Sequence, residues 1–148
     1  MKKIIFATIF LLLFSCSNDK KENEEDGFCT EQFVIICLEV ADAQGNPYVL
    51  DSIKSFINGK AIEMVTDFES EGFEWYQKYG NYPVIDDRYA RRVSKHKPEY
   101  KVPESFTVVA VGYKDDKALF EKALKIQSGY CHIDCDYNPE ELKVVIKE

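Results

Sequence analysis

Histidine is nearly absent from this chain of 148 residues, which has only His96 and His132. A nucleophilic mechanism would have these two imidazoles alone to draw on as bases, and neither lies in a recognisable motif. Positive charge is also short: 19 Lys and Arg stand against 26 Asp and Glu, giving a net charge of −7. A polyanion such as nucleic acid is therefore an unsuitable partner. No Cys-x-x-Cys pair occurs, which removes the thioredoxin-type redox motif. The longest apolar run, Ile4 to Phe14, is too short for a membrane-spanning helix. No internal repeat is present either.

What the chain does have begins at its N-terminus. In MKKIIFATIFLLLFSC, two lysines precede the apolar run and a small residue follows it, the layout of a secretory signal. LFSC, ending at Cys16, resembles a bacterial lipobox, in which the cysteine is diacylated and the peptide before it is removed. Residues 1–15 read as the signal peptide. Residues 16–27, CSNDKKENEEDG, read as a lipidated cysteine and a solvated acidic tether. Several acyl chains, at ~0.8 kcal/mol per buried methylene, anchor a protein stably. An acidic run just after the lipidated cysteine resembles the export signal that sends lipoproteins of the Bacteroidetes to the outer face of the outer membrane. Loss of Lys2 and Lys3 with the signal takes the charge from −7 to −9. The remainder, residues 28–148, has ordinary single-domain size.

Strand patterns dominate that domain. FVIICLEVAD, from Phe33, alternates with period two and is rich in β-branched residues. Gly45, Asn46 and Pro47 mark a turn, after which YVLDSIKSFI (48–57) predicts the second arm of a hairpin. Asn58-Gly59 is a further tight turn. SFTVVAVGY (105–113) and LKVVIK (142–147) are strong strands. Short strands spaced by turns predict an all-β sandwich. KALFEKALKIQ (117–127) has helical spacing and good helix formers, yet it also presents Phe120, Leu124 and Ile126 on one face of a strand. The aromatic, charged middle of the chain reads as long loops with short strands or a helical turn near Phe73 to Tyr79.

The order of several pieces resembles the carboxypeptidase regulatory-like, or transthyretin-like, domains of small Bacteroidetes lipoproteins. These pieces are Cys29 with FVIICLEVADAQGNP, YPVIDDRY at 82–89, VGYK at 111–114, and Cys-His-Ile at 131–133. The resemblance implies an antiparallel seven-stranded β-sandwich of prealbumin-like, Ig-like Greek-key topology that binds or scaffolds rather than catalyses. It also favours the strand reading for 117–127. Hydroxyisourate hydrolases of similar fold end in Tyr-Arg-Gly-Ser. This chain ends in VVIKE, so that activity is not expected.

With Cys16 acylated, Cys29, Cys37, Cys131 and Cys135 remain, an even number in an exported chain, for which disulfides are the default. Three pairings are open by sequence. The resemblance implies Cys29 with Cys131, which leaves Cys37 with Cys135. A metal site from Cys131, His132, Asp134 and Cys135 is not expected, because the spacing fits no zinc pattern and alternate strand residues face opposite ways. His132 is then a bystander, and no cofactor is called for.

Asp86-Asp87, beside Arg88, Arg91 and Arg92, are expected in a solvated, ion-paired loop rather than as paired catalytic or calcium-binding carboxylates. Trp75, Tyr76, Tyr79 and Tyr82 offer flat apolar faces with polar tips, a surface suited to a glycan or a protein, with core packing as the rival reading. The expectation is a non-catalytic, lipid-anchored module of the outer membrane. Its partners would be the membrane, through the anchor, and an envelope protein or glycan.

Overall fold

A computed structural model of the chain describes residues 29–30, 32–63 and 72–147. Residues 1–27, on which the expected signal peptide, acylated Cys16 and tether fall, lie outside the described residues. The described chain forms β1 (Ile35–Asp42), β2 (Ser52–Ile57), β3 (Lys60–Ile62), α1 (Gly72–Tyr79), β4 (Asn81–Asp86), α2 (Arg91–His96), β5 (Ser105–Lys114), β6 (Lys117–Ser128), β7 (Ile133–Asp134) and β8 (Lys143–Ile146), with 3-10 turns at Asp87–Tyr89 and Pro98–Tyr100. Two sheets result, one ordered β4-β1-β8 and the other β3-β2-β5-β6-β7. This is the expected all-β sandwich.

Period-two alternation sets the core. Leu38 and Val40 of β1 are fully buried, as are Val108 and Ala110 of β5 and Leu124 and Ile126 of β6. Exposed Glu39 sits between the β1 pair, and exposed Thr107 precedes Val108, each on the opposite face of its strand. The segment 117–127 is strand, as the resemblance favoured, despite its helix-forming composition. Asp115 and Asp116 both take positive φ, 48° and 58°, and the turn they make returns β6 along β5 from Lys114↔Lys117 to Ser105↔Gln127. That long ladder outweighs propensity differences of a few tenths of a kcal/mol per residue. Gly112 belongs to the same ladder. A Cβ there would lie 2.3 Å from the Phe120 ring, so only glycine lets that ring lie across β5.

Two expectations are corrected. β1 and β2 do not form a hairpin: they lie in different sheets, and β1 instead bridges the segment before β2, at Ala41↔Pro47. The turn itself forms, with Asp42 accepting the N–H groups of Gln44 and Asn46. The chain then crosses between the sheets because Leu50 is buried and Tyr82 satisfies the crossing backbone. Its hydroxyl donates to the Tyr48 carbonyl at 2.9 Å and accepts the Leu50 N–H at 2.8 Å. The sheets are also not purely antiparallel, since β8 runs parallel to β1, pairing Val40 with Val144. Arriving from β7 at the edge of the other sheet, the chain crosses over before β8 begins, and a crossover permits the parallel direction that a tight hairpin forbids.

Candidate functional site

α1 carries the aromatic cluster. It stops at Gly80, whose φ is 65° and whose hypothetical Cβ would meet the Val40 carbonyl oxygen at 2.6 Å. A left-handed glycine is the usual helix terminator, and here it also lets the helix end pack on β1. The four aromatic residues divide. Tyr82, on β4, is fully buried and Tyr76 is 9% exposed, whereas Trp75 is 53% and Tyr79 46% exposed. Packing therefore accounts for Tyr76 and Tyr82. Trp75 and Tyr79, one helical turn apart, have ring centroids 4.9 Å apart, and the Lys78 ammonium lies 5.1 Å from the Tyr79 centroid. Two large rings are thus open to solvent side by side.

The second cluster lies where β4 ends. Asp86 is fully buried and Asp87 is 4% exposed, so the expectation of a solvated loop is corrected. Asp86 caps the 3-10 turn by accepting the Arg88 N–H at 3.0 Å, and it receives the Arg88 guanidinium at Nε and Nη2. Burial opposes the charge on Arg88, yet hydrogen bonds and the negative charge of Asp86 hold its pKa above the ordinary value. Arg88 also donates to the Glu63 carbonyl. Its guanidinium lies 5.4 Å from the Tyr100 centroid. Burial is tolerated because the ion pair is bidentate and hydrogen-bonded.

Asp87 is a junction. Its carboxylate accepts the Val34 N–H at 2.7 Å and the Ile133 N–H at 2.9 Å, and Oδ2 lies 2.6 Å from His132 Nδ1. A carboxylate accepts, so a proton belongs on Nδ1, and Nε2 lies 2.8 Å from the Thr30 hydroxyl oxygen, within hydrogen-bond distance. His132 is accordingly not a bystander. The sequence Thr30–His132–Asp87 has the hydroxyl–imidazole–carboxylate order of a nucleophile, base and orienter. It also fastens the segment leading into β1 to the segment leading into β7, because Cys29 and Cys131 are disulfide-bonded immediately beside it.

That disulfide, with Cα atoms 5.3 Å apart, is the pairing the resemblance implied. The companion bridge is corrected: Cys37 and Cys135 are free thiols. Cys37 lies on β1 at the positions alternating with buried Leu38, in the three-stranded sheet. Cys135 follows β7 at the edge of the five-stranded one. A bond between them would need Cα atoms within ~7 Å and facing Cβ atoms, and none forms. Burial pushes the Cys37 thiol up to about 11 and also raises that of Cys135, so both are protonated and unreactive near neutrality.

Among the described residues no group of three or more His, Cys, Asp or Glu is placed to hold a metal ion, and no helix is long and apolar enough to cross a membrane. Sequence reasoning named Asp87 and His132 but missed their partnership and missed Thr30. No local signal could have revealed it, because Thr30 and His132 are 102 positions apart. No family model matches the chain, and neither a curated protein nor a solved structure matches it significantly.

Proposed function

We propose that this chain is an exported lipoprotein, anchored in the outer membrane through acylated Cys16, whose β-sandwich acts by binding and not by catalysis. The topology proposed for it is the prealbumin-like one of carboxypeptidase regulatory-like domains. The observation that carries the binding role is the solvent-open ring pair of Trp75 and Tyr79, since large aromatic rings left side by side in water are the usual core of a recognition surface. The Cys29–Cys131 disulfide supports export, because such bonds persist in oxidising compartments.

The ligand class we favour for that surface is a glycan. Sugar rings have flat C–H faces that lie on aromatic rings, and Trp75 and Tyr79 are flanked by Glu74 and Lys78 as hydrogen-bonding neighbours. Trp75→Ala should lose retention on a glycan array while its unfolding free energy stays within about 0.5 kcal/mol of wild type, as for a surface substitution. Retention unchanged by the substitution would sink the assignment. For the anchor, metabolic labelling with a fatty acid should mark the wild type and not Cys16→Ala; equal labelling would refute it. For the absence of catalysis, hydrolysis of an activated ester should be the same for wild type and Thr30→Ala. A rate lost with the hydroxyl would make Thr30–His132–Asp87 a catalytic set.

A further inference from the structure

A groove of about 500 Å³ lies between β3 and the 3-10 turn at Pro98–Tyr100. Its lining includes four consecutive residues, Lys60, Ala61, Ile62 and Glu63. Alternate strand side chains face opposite ways, so a groove that touches all four runs along the edge of β3 and not over one of its faces. Among the described residues β3 is the end strand of its sheet, paired only with β2.

The turn fixes which backbone groups that edge presents. Asn58 and Gly59 both have positive φ, 51° and 75°, the mark of a two-residue type I′ hairpin. Its flanking pair, Ile57↔Lys60, is hydrogen-bonded, and hydrogen-bonded and non-hydrogen-bonded pairs alternate along an antiparallel ladder. Phe56↔Ala61 is therefore a non-hydrogen-bonded pair. The N–H and C=O of Ala61 point away from β2, toward the groove, and no hydrogen bond to a described residue engages them. The next outward carbonyl, that of Glu63, is already held by Arg88, which steadies this end of the edge.

The opposite wall is aromatic. Tyr89, nearly buried, and half-buried Tyr100 stand 5.4 Å apart at 59°. Around them Lys60, Glu63, Glu99 and Lys101 line the mouth, and none forms an ion pair with a described residue. One outward donor and acceptor at strand spacing, an apolar seat beside them and free charges of both signs together match a polypeptide in extended conformation.

We propose that the outer edge of β3 docks an extended peptide segment of a partner protein, which adds as a further strand and seats an apolar side chain against Tyr89 and Tyr100. Main-chain hydrogen bonds to Ala61 would set the register, and charged residues flanking the apolar one would meet the lysines and glutamates. Charges on the strand edge also discourage indiscriminate pairing. The site extends the binding role to a second surface and depends on neither the Cys16 anchor nor Trp75 and Tyr79.

Selection of a library of random short peptides against the immobilised domain tests it. Enriched sequences should alternate an apolar residue with charged ones, and a selected peptide should shift the amide resonances of Ala61 and Glu63. N-methylation of that peptide at the backbone N–H facing β3 should weaken it about tenfold, the worth of a lost main-chain hydrogen bond with its desolvated partner. Ala61→Pro, which removes an outward N–H that the β2 ladder does not use, should weaken it similarly. The same variant should keep any glycan retention that wild type shows, so the two surfaces fail independently. No enrichment over an unrelated control protein, or equal binding of parent and N-methylated peptides, would overturn the proposal. So would amide shifts at Ala61 that grow with protein concentration alone, which would assign the edge to a second copy of this chain.

Discussion

Asp87 should be among the costliest polar residues of the domain to replace, and the pattern of losses follows from its partners. The carboxylate is 4% exposed and accepts the N–H groups of Val34 and Ile133 in addition to facing His132. Asp87→Ala leaves both backbone donors without acceptors and the imidazole without its orienting partner. At ~1–3 kcal/mol for each of the two donors stranded away from water, the loss should total about 2–6 kcal/mol. Asp87→Asn preserves the shape but supplies one acceptor and one NH2 group, so in either orientation a single backbone N–H faces another donor. His132 can adapt by exchanging tautomers. The expected loss is about 1–3 kcal/mol, clearly smaller than for alanine. Urea denaturation of wild type and both variants, under non-reducing conditions that keep Cys29–Cys131 closed, measures these values. Adding His132→Ala to each should reveal coupling of about 1 kcal/mol or more with Asp87. Equal losses for Ala and Asn, or an alanine loss below about 1 kcal/mol, would refute the account of Asp87 as an acceptor for two buried donors.

Further outcomes follow from other sites. Reduction of Cys29–Cys131, whose partners are 102 residues apart, should destabilise the domain by about 2–5 kcal/mol; thiol titration of native protein should find Cys37 and Cys135 unpaired, and a Cys37–Cys135 peptide in a non-reducing digest would contradict this. Tyr82→Phe removes the hydroxyl that joins Tyr48 and Leu50, and chemical denaturation should show a loss of about 1–3 kcal/mol, with no loss marking that bond as dispensable. Burial raises Cys37 from 9.0 to about 11, so between those pH values the unfolded chain loses a proton that the folded one keeps. Its contribution is intact below pH 9 and is lost as pH rises toward 11, by an amount on the order of 2 kcal/mol, and a Cys37→Ala variant should lack this portion of the alkaline decline.

Local pattern carried the strands. Alternation around Leu38, Val108 and Val144 needs only short-range geometry to specify an extended, one-sided segment, and Asn58-Gly59 needs only the φ tolerance of its two residues. α1 was legible only as a helical turn near Phe73 to Tyr79, with short strands as the alternative. Which strands lie side by side was not. The β1 turn formed as its Gly45-Asn46-Pro47 residues demand, yet it did not make a hairpin, because burying Leu50 against Tyr82 carries the chain to the other sheet. In β6 the local preference pointed to helix, and pairing with β5 reversed it. Asp87 shows the limit most clearly. Its immediate neighbours are arginines and suggest a solvated ion pair, but the groups that make its burial stable are donated from Val34, 53 positions earlier, and from His132 and Ile133, 45 and 46 positions later. Whether a charge can leave water depends on what the folded chain brings to it, and no nearby residue encodes that. The cysteines obey the same rule: their even count, in a chain read as exported, made disulfides the expectation, but a bond requires Cα atoms within a few ångströms, and only the folded chain joins Cys29 to Cys131 while leaving Cys37 and Cys135 as free thiols.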